Sequence, residues 1–141
     1  MEFNIDADGN ANYMGLSLFH TLNGAYTGNV LATEARKTAD LSHYVSADLL
    51  AMTRSKLSRE LSNVFSGHYV GPLGVDMMVV ARTDGGGFSL HPCVEINVRR
   101  TMGHVALALT RLVNPTDDDD MLRAMRIEFK EGNYKLKIER L

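Results

Sequence analysis

Residues 71–82, GPLGVDMMVVAR, run into TDGGG at 83–87 and return as FSLHPCVEINVR at 88–99. Both arms are rich in apolar and β-branched residues, and Asp84-Gly85-Gly86-Gly87 is turn chemistry, because glycine accepts the positive φ that tight hairpin turns require. The stretch therefore predicts an antiparallel hairpin. With a two-residue loop at Gly85-Gly86, Asp84 faces Gly87, Arg82 faces Ser89, and Asp76 faces Glu95. A slip of one residue would send the two carboxylates to opposite faces. In the return arm Val94, Ile96 and Val98 form one face, expected to be buried. Glu95, Asn97 and Arg99 line the other, with Cys93 just before them.

Directly opposed side chains stand about 4.5–5.5 Å apart at Cβ. Two carboxylates at that spacing repel by about 3 kcal/mol at an effective dielectric of ~20, so either one is protonated or a cation joins them. Asp76, Glu95 and Asn97 together offer hard oxygen donors suited to Mg²⁺ or Mn²⁺. Arg99 follows on the same face, where a guanidinium can clamp an anionic substrate oxygen or a developing charge. The plainer alternative is a surface network in which Arg99 or Arg100 pairs with Asp76 and Glu95.

Outward from the hairpin, residues 1–19 read as another hairpin turning at Asp6 to Asn10. Residues 20–32 read as a long ordered loop, with Tyr26, Thr27 and Asn29 as candidates for substrate contact. Residues 40–66 carry apolar positions at helical spacing, with Asp40 as N-cap and Gly67 as stop. A second helix is expected over 101–114 and a short third one opened by Asp117 to Asp120. A last hairpin is expected over 126–141 around Glu131-Gly132-Asn133. The 141 residues suit one domain, with 45% hydrophobic and 23% charged residues. A net charge of −2 gives no global reason to expect nucleic acid or an anionic membrane as partner. No run approaches the ~20 apolar residues of a bilayer span, no signal peptide is visible, and a lone Cys93 cannot form an internal disulfide, so a cytoplasmic location is expected. The five histidines form no zinc motif; His91 and His104 flank the carboxylate strand, with structural roles expected.

GPLGVDMMV (71–79) followed by HPCVEINVRRTMGH (91–104) resembles the C-terminal lobe of ATP-grasp enzymes, which carry an Asp on one strand and Glu-x-Asn on its antiparallel neighbour. Asp76, Glu95 and Asn97 stand at those positions. Glu95-Ile-Asn97-Val-Arg99 resembles most the biotin carboxylase and carbamoyl phosphate synthetase branch, and Thr101-Met102-Gly103 is similar to the D-alanine–D-alanine ligase branch. The resemblance implies an α+β fold, a mainly antiparallel sheet flanked by helices. It implies ATP and Mg²⁺ as cofactors held by Asp76, Glu95 and Asn97, Arg99 as a catalytic residue, and a small carboxylate substrate activated as an acyl phosphate for attack by an amine. There are departures. The phosphate-binding lysines and hinge strand of the other lobe have no equivalent, since only Lys37 and Lys56 lie upstream of Asp76. Gly74 stands where many relatives carry an Arg. The chain also opens directly on a strand. It is therefore expected to be a single domain, 1–141, forming the C-terminal part of a larger ATP-grasp-like protein whose N-terminal nucleotide-binding lobe is missing, and to be inactive alone. Two other classes fit less well: a Mg²⁺-dependent restriction-like nuclease core, for which Asn97 replaces the expected Lys, and a non-catalytic interaction module on the same scaffold.

Overall fold

The computed structural model describes residues 1–113 and 122–141. The aspartates 117–120 lie outside the described residues. Two four-stranded antiparallel sheets and three helices make up the α+β architecture. The first sheet has the order β2-β1-β5-β6, from β1 (Glu2–Ile5), β2 (Ala11–Gly15), β5 (Gly71–Ala81) and β6 (Phe88–Asn97). The second has the order β3-β4-β7-β8, from β3 (Phe19–Leu22), β4 (Ala25–Leu31), β7 (Arg123–Lys130) and β8 (Asn133–Arg140).

Residues 19–31 are a hairpin and not the expected long loop. Asn23 and Gly24 both take positive φ, 52° and 79°, which is the backbone of a tight primed turn. The expected helix over 40–66 is two helices, α1 (Glu34–Leu41) and α2 (Ala47–Phe65). Thr33 caps α1 by accepting from the Arg36 amide, and Ser46 caps α2 by accepting from the Leu49 amide. Asp40 lies inside α1 and pairs with Arg36 at 3.0 Å instead of capping. Helix α3 spans Met102–Val113.

Alternation sorts the first sheet into two faces. Phe3, Ile5, Leu73 and Val75 are fully buried, and with Leu50 and Leu61 of α2 they form the main core. A smaller core of Leu31, Ala106 and Met125 joins α3 to the second sheet. Glu2, Asp76, Glu95 and Asn97 fall on the opposite face of the first sheet by the same alternation. Val94, Ile96 and Val98, expected to be buried, are instead 57%, 41% and 45% exposed. The reason is topological: β6 is an edge strand, while α2 lies over β1 and β2. No helix of the described residues is long and apolar enough to cross a membrane.

Candidate functional site

The β5–β6 hairpin turns differently from the sequence expectation. Ala81 pairs with Phe88 and the Arg82 amide donates to the Gly87 carbonyl at 2.8 Å, replacing the expected Arg82–Ser89 and Asp84–Gly87 pairs. Farther along, one residue of β5, Met77, stands against three of β6, Pro92, Cys93 and Val94. Pro92 has no amide to give to the ladder, so an irregularity is sited where a hydrogen bond is lost anyway. The surplus is an even number of residues and leaves side-chain direction unchanged. Asp76 is thereby paired with Glu95 and Gly74 with Asn97.

Around the two carboxylates the polar groups are ordered. Asn97 Nδ2 donates to Asp76 Oδ2 at 3.2 Å, and Arg99 donates through a terminal nitrogen to Asn97 Oδ1 at 3.1 Å. The amide orientation follows from chemistry: a carboxylate only accepts and a guanidinium only donates, so nitrogen faces Asp76 and oxygen faces Arg99. Arg99 thus reaches the acidic pair through Asn97, and its other contact is to the Arg100 carbonyl at 3.4 Å. The alternative of direct guanidinium–carboxylate pairs at Asp76 and Glu95 is not what these contacts form. Burial pushes the Asp76 carboxyl above its usual range; the charges of Glu95 and Glu2 add to this, while the Met1 amino group and the Asn97 amide pull it back.

A cavity of about 470 Å³ opens over this face. Asp76, Glu95, Asn97 and Arg99 line one part of it, Thr101 to Gly103 another, and Thr21, Tyr26 and Asn29 of the β3–β4 hairpin a third. Asn29 is buried, donates to Ser17 Oγ at 2.8 Å, and accepts a hydrogen bond from the Tyr26 hydroxyl. Of the expected substrate contacts, Tyr26 and Asn29 are in the wall, while Thr27 Oγ1 donates to the His20 carbonyl at 3.0 Å. Lys37 is buried with Nζ donating to the Leu16 carbonyl at 2.7 Å, and Lys56 is exposed on α2, so neither supplies a cation to this cavity. Cys93 is exposed at the irregularity.

Glu2 belongs to no motif in the sequence and was not among the expected site residues. It is buried, lines the same cavity, and its Oε2 accepts from Thr101 Oγ1 at 2.8 Å. Two glycines make room for it. A Cβ on Gly103 would stand 1.9 Å from Glu2 Oε1, and one on Gly74 would stand 2.8 Å from Glu2 Oε2 and 2.7 Å from Thr101 Cγ2. A side chain at position 74, Arg included, would therefore have to displace the Glu2 carboxylate and the Thr101 methyl. Gly103→Ala is expected to displace the Glu2 carboxylate and cost about 1–3 kcal/mol of stability in urea unfolding; an unchanged midpoint would mean that the cradle is not formed.

For a divalent cation the donor set fits in kind. Asp76 and Glu95 give opposed anionic oxygens and Asn97 a neutral one, provided that Asn97 Oδ1 leaves Arg99. Among the described residues no three of His, Cys, Asp and Glu gather into a self-sufficient metal cluster. Such a site would therefore supply part of a coordination shell and leave the rest to water or phosphate oxygens, as is usual for Mg²⁺.

Searches against family models and against curated proteins find no match. Among solved structures, the chain is similar to a protein from Archaeoglobus fulgidus provisionally assigned to the ATP-grasp superfamily. The TM-score is 0.54 at 15% sequence identity, over 99% of this chain and 44% of that one. The chain therefore spans less than half the length of that protein, and what it shares with it is an ATP-grasp-like fold.

Proposed function

We propose that this chain is the C-terminal half of an ATP-grasp-like ligase, in which Asp76, Glu95 and Asn97 hold Mg²⁺ and Arg99 receives an anionic group of the substrate. The observation that carries this reading is the direct opposition of Asp76 and Glu95 on one face, with Asn97 linking Asp76 to Arg99. Support comes from the ATP-grasp-like fold and from the length of the similar protein, more than half of which has no counterpart here.

In the reaction proposed, a substrate carboxylate oxygen bonds to the γ-phosphorus of ATP as the bond to ADP breaks, giving an acyl phosphate. An amine then attacks the acyl carbon, inorganic phosphate leaves with the bonding electrons, and the amine gives up a proton. Bound Mg²⁺ would supply charge neutralisation on the phosphate oxygens. The chain's own part is positional: Asp76 and Glu95 fix the cation against the sheet, and Arg99 offers a donor fork for the carboxylate or the transferring group. A cytoplasmic setting belongs to the same proposal.

Because lysines for the triphosphate are not in the cavity, the chain alone is expected to bind Mg²⁺ and ATP weakly and not to turn over. Thermal unfolding tests this. Mg²⁺ and ATP together are expected to raise Tm more than either alone, with the excess lost in Glu95→Gln. ATP turnover by the purified chain, abolished by Glu95→Gln, would contradict the half-site reading. Mg²⁺-dependent nicking of plasmid DNA would favour the nuclease alternative instead.

A further inference from the structure

Behind the Asp76–Glu95 pair lies a second acidic group with its own partner. Glu2 is paired across the sheet with Gly74, one two-residue step from Asp76 on the same face, or about 7 Å along the strand. Its Oε2 lies 2.9 Å from His104 Nδ1, and the two side chains are only 7% and 6% exposed. The other ring nitrogen of His104, Nε2, is 3.1 Å from the Phe3 carbonyl oxygen. A carbonyl can only accept, so Nε2 carries a proton. The carboxylate form of Glu2 can only accept, so a second ring proton on Nδ1 is the one that would bond to it. The Thr101 amide also donates toward Nδ1 at 3.3 Å and competes there with the closer Glu2 carboxylate, and Thr101 Oγ1 lies 3.0 Å from the same nitrogen. Burial works against the charged ring, and the hydrogen bonds to Glu2 and to the Phe3 carbonyl outweigh it, so His104 holds its proton above the ordinary histidine range. The charged groups acting on the pair are Arg100, which disfavours the imidazolium, the Met1 amino group, which interacts with both Glu2 and Asp76, and Asp76, which feels the Glu2 carboxylate.

We propose that the Glu2–His104 pair partitions the charge of the cleft: the imidazolium balances Glu2, so a divalent cation is directed to Asp76 and Glu95, and Glu2 serves as a fixed hydrogen-bond acceptor in the cavity wall. His104 is thus a positioning residue, acting through Glu2. The inference rests on the metal reading above. Its consequence is an asymmetry between two neutralising substitutions. Glu2→Gln removes the anion and, with it, the reason for the second ring proton, so the charge near the metal ligands is unchanged. His104→Gln removes only the cation and leaves an added negative charge about 7 Å from Asp76. At effective dielectrics of ~40–80 that charge tightens binding of a divalent cation roughly seven- to fiftyfold.

Two measurements on the full chain test this. Imidazole ¹⁵N NMR across a pH titration is expected to show the wild-type His104 ring keeping its second proton to higher pH than the ring in Glu2→Gln. Mn²⁺ titration is expected to show roughly seven- to fiftyfold tighter binding for His104→Gln than for the wild type, with Glu2→Gln and the Glu2→Gln/His104→Gln double variant within about twofold of wild type. The double variant guards against misfolding of His104→Gln, since it removes the unpaired buried charge. Equal His104 titration midpoints in wild type and Glu2→Gln, or equal Mn²⁺ affinity in wild type and His104→Gln, would overturn the partition. Absence of Mn²⁺ binding in the wild type with a His104 midpoint above that of Glu2→Gln would instead overturn the metal reading and leave the ion pair standing.

Discussion

His104→Ala is expected to lower the stability of the chain by about 3 kcal/mol near pH 6, because removing one member of a buried ion pair leaves the other buried and uncompensated. Glu2 would then lose the contact at 2.9 Å and keep only the Thr101 hydroxyl. The pH dependence has a definite sign. His104 holds its proton more tightly folded than unfolded, burial opposing and the Glu2 and Phe3 hydrogen bonds prevailing. Its contribution is therefore complete below the ordinary histidine pKa of about 6.5. It fades as pH rises through the raised folded value. Urea unfolding at pH 6 and pH 9 should show a large difference between wild type and variant at the lower pH and a smaller one at the higher. A difference that stays constant would place the cost in lost packing and not in charge.

Asp76→Asn is expected to act in the opposite direction on stability while removing cation binding. Burial and two neighbouring carboxylates push the Asp76 carboxyl up, so its ionised form strains the folded state. The strain is absent below the ordinary carboxylate range and grows as pH rises through the raised folded value. Asp76 is half-buried, and solvent screening reduces the bare repulsion to about 1 kcal/mol of gain for the variant at pH 7 without divalent ions, vanishing near pH 3. The amide oxygen introduced by the substitution can still accept the Asn97 hydrogen bond, so the network need not collapse. Mn²⁺ affinity should fall at least tenfold. A variant less stable than wild type at pH 7 would mean that the carboxylate is a structural partner and not a strained ligand. A local stability cost that disappears when the functional charge is removed is a common property of binding sites.

The central pairing of Asp76 with Glu95 was legible in the sequence although the turn was not. The expected Gly85-Gly86 loop placed the turn pairs wrongly, yet the even surplus at Pro92 to Val94 restored the same opposition. Periodicity reads which face a residue takes, and faces survive even slips. Proline at 92 was the available sign that the ladder breaks there. The Asn23-Gly24 dipeptide carried the signal for the β3–β4 hairpin, and Ser46 carried the signal for the break between α1 and α2. Exposure of Val94, Ile96 and Val98 was not legible, because it depends on β6 lying at the sheet edge, a property of strand order. Glu2 and His104 were not legible as a pair, since their contact joins opposite ends of the chain's first hundred or so residues. Their trace lies in Gly74 and Gly103, glycines in a strand and in a first helical turn, where a missing side chain is costly unless another group needs the space.

Paramagnetic broadening of backbone amides by Mn²⁺ tests the whole account most directly. Substoichiometric Mn²⁺ is expected to broaden first the amides around Asp76, Glu95 and Asn97, and to leave them sharp in Glu95→Gln. Broadening spread evenly over the exposed acidic residues, or centred elsewhere and indifferent to Glu95→Gln, would contradict it.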